Sequence, residues 1–257
     1  MKKLTYILMA TVTILIIPSK INAQSEKTDY KLMNDTLITI LSPSIDKEII
    51  HYYGYRKQYG LYDAKILSII REHEGQFSFI IEVQITTFEH AHDPPYGKET
   101  MTFEVSPNGV KTISFKHVGD KVEKDLNAFY SATLSDVKQT LNLNLESYNS
   151  YTYHQLQYQT EINNEFKPLF KLVEEIVTYI LFPQRKIPYK NVIDLVTFIK
   201  GNTAYIVFKQ SDGTNVSYQV QKKDGNWIVT DKISEQGKKM DYKLPWYLWK
   251  NEAYGIS

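Results

Sequence analysis

The hydrophobic periodicity of this chain changes from helical to extended, and it does so twice. In segment 34–54 apolar residues recur every three or four positions, which places them on one face of a helix. Between residues 64 and 118 the period becomes two, in four runs rich in β-branched and aromatic residues. A second helical stripe at 164–183 is followed by four more such runs between 192 and 233. The pattern predicts an α+β protein of two tandem modules, each a helix followed by a four-stranded antiparallel meander.

The two stripes have different members but the same role. The first consists of Ile38, Leu41, Ile45, Ile49 and Tyr52, and the second of Phe166, Leu169, Val173, Ile176, Val177 and Ile180. Gly54 suits the end of the first helix, whereas Pro43 predicts a kink or a new helix start within it. One helix cannot bury its stripe alone, so a curved sheet wrapped on it, with the helix on one face, is the economical solution. That is the shape of cystatin-like and NTF2-like folds.

Segment 121–160 separates the two modules, which we place at 34–120 and 161–257. Its first part carries a third helical stripe, formed by Val122, Leu126, Phe129, Val137, Leu141 and Leu145. The following "ESYNSYTYHQLQYQTEINN" is poor in aliphatic residues and rich in Tyr, Asn and Gln, which predicts a linker or an edge element. We therefore expect the domain boundary near residue 150.

The first 23 residues have the pattern of a secretory signal peptide. Lys2 and Lys3 precede the apolar run 4–17, and a small residue, Ala23, precedes the expected cut. The run is shorter than the roughly 20 apolar residues of a membrane span. We therefore predict a secreted or cell-wall-associated protein whose mature chain begins with a flexible segment, 24–33. The alternative is an uncleaved N-terminal anchor, and membrane attachment is expected only through it.

Composition excludes several classes of function. The chain has no cysteine, so disulfides, cysteine-ligated zinc and thiol catalysis are ruled out. It contains 30 Lys and Arg against 29 Asp and Glu. Loss of three lysines with the signal peptide would leave 30 − 3 = 27 cations against 29 acids, a net charge of −2. Because the chain also lacks a dense basic run, we do not expect it to bind nucleic acid.

One polar stretch, "TTFEHAHDPPYG" at 86–97, is the best candidate for chemistry. It contains Glu89, His90, His92 and Asp93, and His117 follows near the end of the fourth predicted strand. In an extended segment the side chains of His90 and His92 point to the same side, and two imidazoles with a carboxylate can bind zinc or a similar divalent ion. The alternative is a polar turn whose side chains satisfy backbone groups where two strands separate.

Aromatic residues provide the candidate binding surfaces. Tyr52, Tyr53 and Tyr62 either line a ligand cleft or pack over the end of the first helix. Trp246 and Trp249, in the C-terminal tail, either dock onto the second sheet or form a partner-binding patch.

Two functional hypotheses follow. The chain has no nucleophile elbow, no H-E-x-x-H motif and no P-loop. The first hypothesis is therefore a non-catalytic exported module that uses no cofactor and binds an extracellular or envelope protein or peptide. The alternative is a metal-binding or metal-assisted hydrolytic protein that uses the histidine-rich loop and a divalent metal such as zinc.

Residues about 30–120 resemble a known family. The resemblance is carried by "DTLITILSPSIDKEIIHYYG", "YGLYDAKILSI", "TTFEHAHDPPYGKETMTFEVS" and "GVKTISFKH", including Tyr52-Tyr53-Gly54, Ala91-His92, Pro94-Pro95, Phe115 and His117. These blocks are similar to an exported family of spore-forming Gram-positive bacteria, domain of unknown function 3888. The resemblance implies secretion in such an organism, but it implies no activity, because the family has no established one. Residues 121–257 show only the NTF2-like pattern.

Overall fold

The computed structural model of the chain describes residues 19–89, 92–181, 195–210 and 212–239. It contains helices and antiparallel sheets, which confirms the α+β class. The chain divides into two compact units. The first comprises the residues up to Glu48, Gln58–His92 and Gly97–Val118. The second comprises Ile49–Lys57, Asp93–Tyr96 and the residues from Gly119 onwards. None of the helices in the described ranges is long and apolar enough to span a membrane.

The first helix, α1, spans Ser19–Tyr53 and continues through Pro43. A proline lacks the N–H that would bond to the carbonyl four residues earlier, here that of Thr39. The hydroxyl of Ser42 donates to this carbonyl at 2.8 Å, so the oxygen keeps a partner. The helix ends as predicted at Gly54, whose φ of +76° suits a glycine after a C-terminal turn.

Helix α1 begins earlier than the sequence pattern suggested. Residues 24–33, expected to be flexible, lie within it, and so does the expected cleavage point after Ala23. The physical reason is that no glycine or proline occurs between residues 19 and 42 to end the helix. Cleavage of a signal peptide stays a prediction, and residues 1–18 lie outside the described ranges.

The first sheet contains five strands. They are β1 (Gln58–Tyr59), β2 (Lys65–Arg71), β3 (Phe79–Glu89), β4 (Asp93–Ser106) and β5 (Gly109–Gly119). The order is β1-β3-β4-β5, and β2 pairs with β3 beside β1. The four predicted strands are β2 to β5, and β1 adds a short extension to the same edge. Strand β4 begins at Asp93, so the Pro-Pro segment expected in a loop belongs to a strand, and its Pro94–Pro95 bond is cis.

One face of this sheet is apolar and the other is polar. Alternate residues of β3 and β4 are buried together with the stripe of α1, namely Ile81, Val83, Ile85, Met101 and Phe103 with Ile38, Leu41 and Ile45. Helix and sheet are joined by hydrogen bonds from Tyr59 to Asp46, at 2.5 Å, and from Thr112 to Glu48, at 2.8 Å. The opposite face carries cross-strand polar pairs such as Ser114–Thr102 at 2.9 Å. The helix therefore covers one face, as predicted.

The described residues from Gly119 onwards form three helices and a five-stranded sheet. The helices are α2 (Lys121–Thr140), α3 (Tyr153–Ile162) and α4 (Lys167–Leu181). The strands are β6 (Asn149–Thr152), β7 (Val196–Lys200), β8 (Thr203–Lys209), β9 (Thr214–Lys223) and β10 (Asn226–Gln236), in the order β10-β9-β8-β7-β6. The four predicted strands are β7 to β10. The Tyr/Asn/Gln-rich stretch provides edge strand β6 and helix α3, so it is an edge element and not a linker.

Helices cover both faces of the second sheet, whereas the sequence predicted a helix on one face only. Residues from α3 and α4 pack on the face that includes Ile206 and Val216. On the other face, Val137 of α2 and nearby leucines pack against Phe198 and Val207. Three residues of the predicted stripe, Val137, Leu141 and Leu145, are thus buried within the second unit. The main division between the units lies between Val118 and Gly119, whereas we expected it near residue 150.

Candidate functional site

The histidine-rich loop is shorter than the sequence suggested. Glu89 is the last residue of β3, His92 has a positive φ of 72°, and Asp93 is the first residue of β4. His90 lies outside the described residues. Within the described residues, no three His, Cys, Asp or Glu side chains form a group that could hold a metal ion. The zinc hypothesis, which depends on His90, stays a prediction.

His92 belongs to an aromatic cluster. Its Nδ1 lies 3.0 Å from the hydroxyl of Tyr62, which is part of a 3₁₀ turn at Leu61–Asp63. Its ring centroid lies 4.3 Å from that of Phe88 and 5.7 Å from that of Tyr62. One residue predicted for metal binding and one predicted for ligand binding therefore contact each other. These contacts hold His92 beside the turn that precedes β2.

His117 has a different partner, Glu99 on the neighbouring strand β4. The Nδ1 atom of His117 lies 3.0 Å from each carboxylate oxygen of Glu99, whose side chain is fully buried. Because a carboxylate only accepts hydrogen bonds, Nδ1 carries the proton and donates it. Thr87 on β3 also donates to Glu99 Oε1, at 3.0 Å. Side chains from three adjacent strands, β3, β4 and β5, thus form one hydrogen-bonded polar group on the buried face of the sheet.

Glu99 was missed in the sequence, although a signal for it was present. In β4 the inward-facing positions are Gly97, Glu99, Met101 and Phe103, all buried. A charged residue within an apolar alternation is the mark of a buried polar group that needs partners. A carboxylate that binds one nitrogen of an imidazole fixes its orientation. The pair orients His117 and links two strands.

The predicted aromatic residues at the end of α1 and in the 3₁₀ turn lie in different compact units. Tyr52 and Tyr53, at the end of α1, belong to the second compact unit, and Tyr62 belongs to the first. Tyr52 is half exposed and meets Tyr53 edge-on, with ring centroids 4.9 Å apart. Lys57, which is buried, lies 5.4 Å from the centroid of the Tyr53 ring. Tyr53 therefore packs over the helix end. Trp246 and Trp249 lie outside the described residues.

A more exposed apolar surface lies at the edge of the first sheet. Strand β2 pairs with β3 on one side, and none of the described strands pairs with its other side. Leu67, Ile69 and Ile70 of this strand are 46%, 50% and 57% exposed, which is high for aliphatic side chains in a strand. We call Ile66–Ile70, with the backbone they carry, the β2 edge.

The other long edge strands carry charges, and the β2 edge does not. Strand β5 contains Lys111 and Lys116, and β10 contains Asp231, Lys232 and Glu235. Charged residues within an edge strand prevent other strands from pairing with it. The β2 edge has the uncharged sequence Ile-Leu-Ser-Ile-Ile, with a bulge near Leu67 and its charges only at the ends. It is thus the least protected long edge in the described part of the chain.

Comparison with known proteins covers only the first half of the chain. Residues 33–119 match the model of a family described as "Protein of unknown function (DUF3888)". No curated protein and no solved structure matches the chain. The likeness to cystatin-like and NTF2-like folds therefore stays a prediction. The match begins in α1 and includes all five strands of the first sheet, so the resemblance over residues about 30–120 is confirmed. Residues 33–119 of this protein are thus similar to the DUF3888 family, whose description assigns it no function.

Proposed function

We propose that this is an exported, non-catalytic binding protein that takes up an extended segment of another polypeptide at the β2 edge. The observation that carries the proposal is the exposed and uncharged β2 edge, with which no strand among the described residues pairs. An extended peptide can add a strand to such an edge, since backbone hydrogen bonds give affinity and alternate side chains give selectivity. The signal-like N-terminus supports an action at or outside the cell envelope.

Apolar burial supplies the driving force. Leu67, Ile69 and Ile70 each leave about half of their surface in water. Full burial of such a side chain stabilises by about 1.5–3 kcal/mol, so covering the remaining half contributes roughly 1 kcal/mol for each residue. The unpaired N–H and C=O groups of the strand add hydrogen bonds with the incoming backbone.

The hairpin that carries the β2 edge is held in place before any partner binds. The guanidinium of Arg71 lies over the rings of Phe77 and Phe79, and its Nη1 donates to the carbonyl of Gln76 at 2.9 Å. The hydroxyl of Ser78 donates to Glu72 at 2.7 Å. A preorganised strand loses little conformational entropy on binding, which favours affinity.

Charge at the two ends of β2 disfavours a second copy as the partner. In a symmetric antiparallel pair centred on Ser68, Lys65 of each copy would lie opposite Arg71 of the other. Like charges directly opposite each other destabilise a strand pair. A segment with an apolar centre and an acidic residue at each end would instead match both cations. We therefore assign the edge to an extended peptide of that kind.

The test uses a synthetic heptapeptide of alternating valine and threonine with a glutamate at each end. We expect it to bind the protein in a fluorescence polarisation assay. An Ile70→Lys variant should bind at least tenfold more weakly, a loss of about 1.4 kcal/mol. The matched control is Ile113→Lys, because Ile113 is 53% exposed on the opposite edge strand and Ile70 is 57% exposed. Ile113→Lys should leave the affinity unchanged.

Backbone methylation separates strand addition from nonspecific apolar contact. An added strand uses the N–H groups along one of its edges only. We expect methylation of alternate amides to abolish binding in one frame and to leave it intact in the other. Equal binding of both methylated peptides, or equal loss in the two lysine variants, would refute the proposal. A rise in the mass of the free protein to that of a dimer would instead identify a second copy as the occupant.

A further inference from the structure

The second unit contains a buried group of three polar side chains that the binding proposal does not use. Lys209 ends β8, Asn215 lies directly opposite it on β9, and Asp136 belongs to α2. Lys209 is 1% exposed, Asn215 is fully buried and Asp136 is 8% exposed. Lysine is rarely buried to this degree, so the contacts of its amine decide what this group can do.

The three side chains form a closed hydrogen-bonded triangle. Lys209 Nζ lies 2.5 Å from Asp136 Oδ2 and 2.9 Å from Asn215 Oδ1. Asn215 Nδ2 donates to the same Asp136 Oδ2 at 2.9 Å. One carboxylate oxygen therefore contacts both the amine of the lysine and the amide nitrogen of the asparagine. The backbone N–H of Lys238 also donates to this oxygen, at 3.1 Å.

This arrangement places a nucleophile, a carbonyl and a proton carrier together away from water. The amine nitrogen is hydrogen-bonded to the amide oxygen, and the amide carbon is only one carbonyl bond, about 1.2 Å, from that oxygen. For the amine to attack, the Asn215 side chain must rotate so that Cγ, and not Oδ1, faces Nζ. Reacting groups held in this way react as if at very high concentration.

We propose that Lys209 and Asn215 become joined by an isopeptide bond after the second unit folds. In the first step Asp136 accepts a proton from Lys209 Nζ, and the neutral amine attacks Cγ of Asn215. The tetrahedral intermediate then expels Nδ2, which takes up the proton from Asp136 and leaves as ammonia, while Asp136 accepts the second amine proton. A new C–N bond replaces the old one, so the product is one amide bond and one ammonia. The step needs no oxidant, metal or cofactor.

Electrostatics fix the resting state of the triangle and its first step. Burial raises the pKa of Asp136, but the hydrogen bonds from Lys209, Asn215 and Lys238 outweigh it, so the pKa lies below its ordinary value. The unreacted Asp136 is thus a carboxylate, which is the form that accepts the amine proton in the first step. The chain has no cysteine, so this bond would be its covalent cross-link in place of a disulfide.

The direct test is the mass of the tryptic peptides of the folded full chain. Trypsin cuts after an unmodified Lys209 and releases peptides 201–209 and 210–222. We expect instead one peptide, 201–222, uncut at Lys209 and lighter by one ammonia, about 17 Da. Recovery of the two shorter peptides at full mass from folded protein would overturn the proposal, whatever any variant does.

Variants separate the isopeptide bond from other losses of ammonia. Lys209→Arg keeps the cation but removes the amine, so the mass loss should disappear. A loss that persists in Lys209→Arg would mean cyclisation of Asn215 on its own backbone and would overturn the proposal. Lys200→Arg is the matched control and should keep the cross-link, since Lys200 contacts Ser147 and not this triangle. Asp136→Asn should leave the peptides unlinked, and unchanged linking in it would refute the role of Asp136.

Discussion

Replacement of His117 by alanine tests whether the buried Glu99–His117 pair is structural. The imidazole Nδ1 contacts both oxygens of Glu99 at 3.0 Å, and the glutamate side chain is fully buried. Water cannot readily replace the lost donor at such a position. Hydrogen bonds to charged groups contribute about 1.5–3 kcal/mol each. Because Thr87 still donates to the carboxylate, we expect the free energy of unfolding to fall by about that amount and not more.

The assay must report on the first unit. All three tryptophans, at positions 227, 246 and 249, lie in the second half of the chain, so their fluorescence is unsuitable. Urea unfolding followed by far-ultraviolet circular dichroism, with hydrogen exchange of β3 to β5, measures the relevant stability. His73→Ala is the matched control, since His73 is exposed in the β2–β3 turn, and it should change stability by less than about 0.5 kcal/mol.

A double-mutant cycle isolates the pair. Glu99→Gln, measured alone and together with His117→Ala, gives the interaction energy between the two side chains. We expect an interaction of at least about 1 kcal/mol that EDTA and Zn²⁺ leave unchanged. A His117→Ala loss below about 0.5 kcal/mol would refute the reasoning. Stabilisation of the parent protein by Zn²⁺, absent from the variant, would instead place His117 in a metal site.

Three further predictions concern stability. Burial and the hydrogen bond to Asp46 raise the pKa of Tyr59 in the folded protein, so the stability that Tyr59 contributes is full below about pH 10 and is lost as the pH rises towards the folded-state pKa. Urea titrations should therefore show that the stability difference between the parent protein and Tyr59→Phe shrinks above pH 10. A constant difference would contradict this prediction. Gly54→Ala should lower the free energy of unfolding by about 1–2 kcal/mol, because an alanine is strained at the positive φ of this position. An unchanged melting temperature would contradict this prediction. Gly237→Ala should lower the free energy of unfolding, measured by urea unfolding with tryptophan fluorescence, by about 1–3 kcal/mol, because a Cβ would overlap the side chains of Asn215 and Asp136. Unchanged stability would show that those side chains move aside.

The strands could be predicted because their alternation records burial directly, whereas α3 could not. In α3 a single apolar residue, Leu156, is fully buried, so no hydrophobic stripe marks the helix. Its start is set by a capping box, in which Thr152 and Gln155 each bond to the backbone of the other. Gln155 also donates to the carbonyl of Tyr53 at 2.9 Å, a contact between residues distant in sequence. Local caps and distant contacts leave little trace in periodicity.

The candidate sites show the same limit. His92 and His117 were grouped because both are histidines near one predicted sheet end. The structure gives each its own partner, Tyr62 for His92 and Glu99 for His117. The register between strands decides which side chains become partners, and register cannot be read from composition. The β2 edge could not be predicted either, since a run such as Ile69-Ile70 does not show whether its strand lies inside a sheet or at its edge, and only the pairing places β2 at an edge.

The most direct test of the proposed function is amide hydrogen exchange of the protein with and without the glutamate-flanked heptapeptide. Strand addition would protect those amides of Lys65–Arg71 that do not pair with β3, and it would leave β5 and β10 unchanged. Protection confined to β2 is the predicted result. Protection elsewhere, or no change at a peptide concentration that saturates binding, would show that the β2 edge is not the binding site.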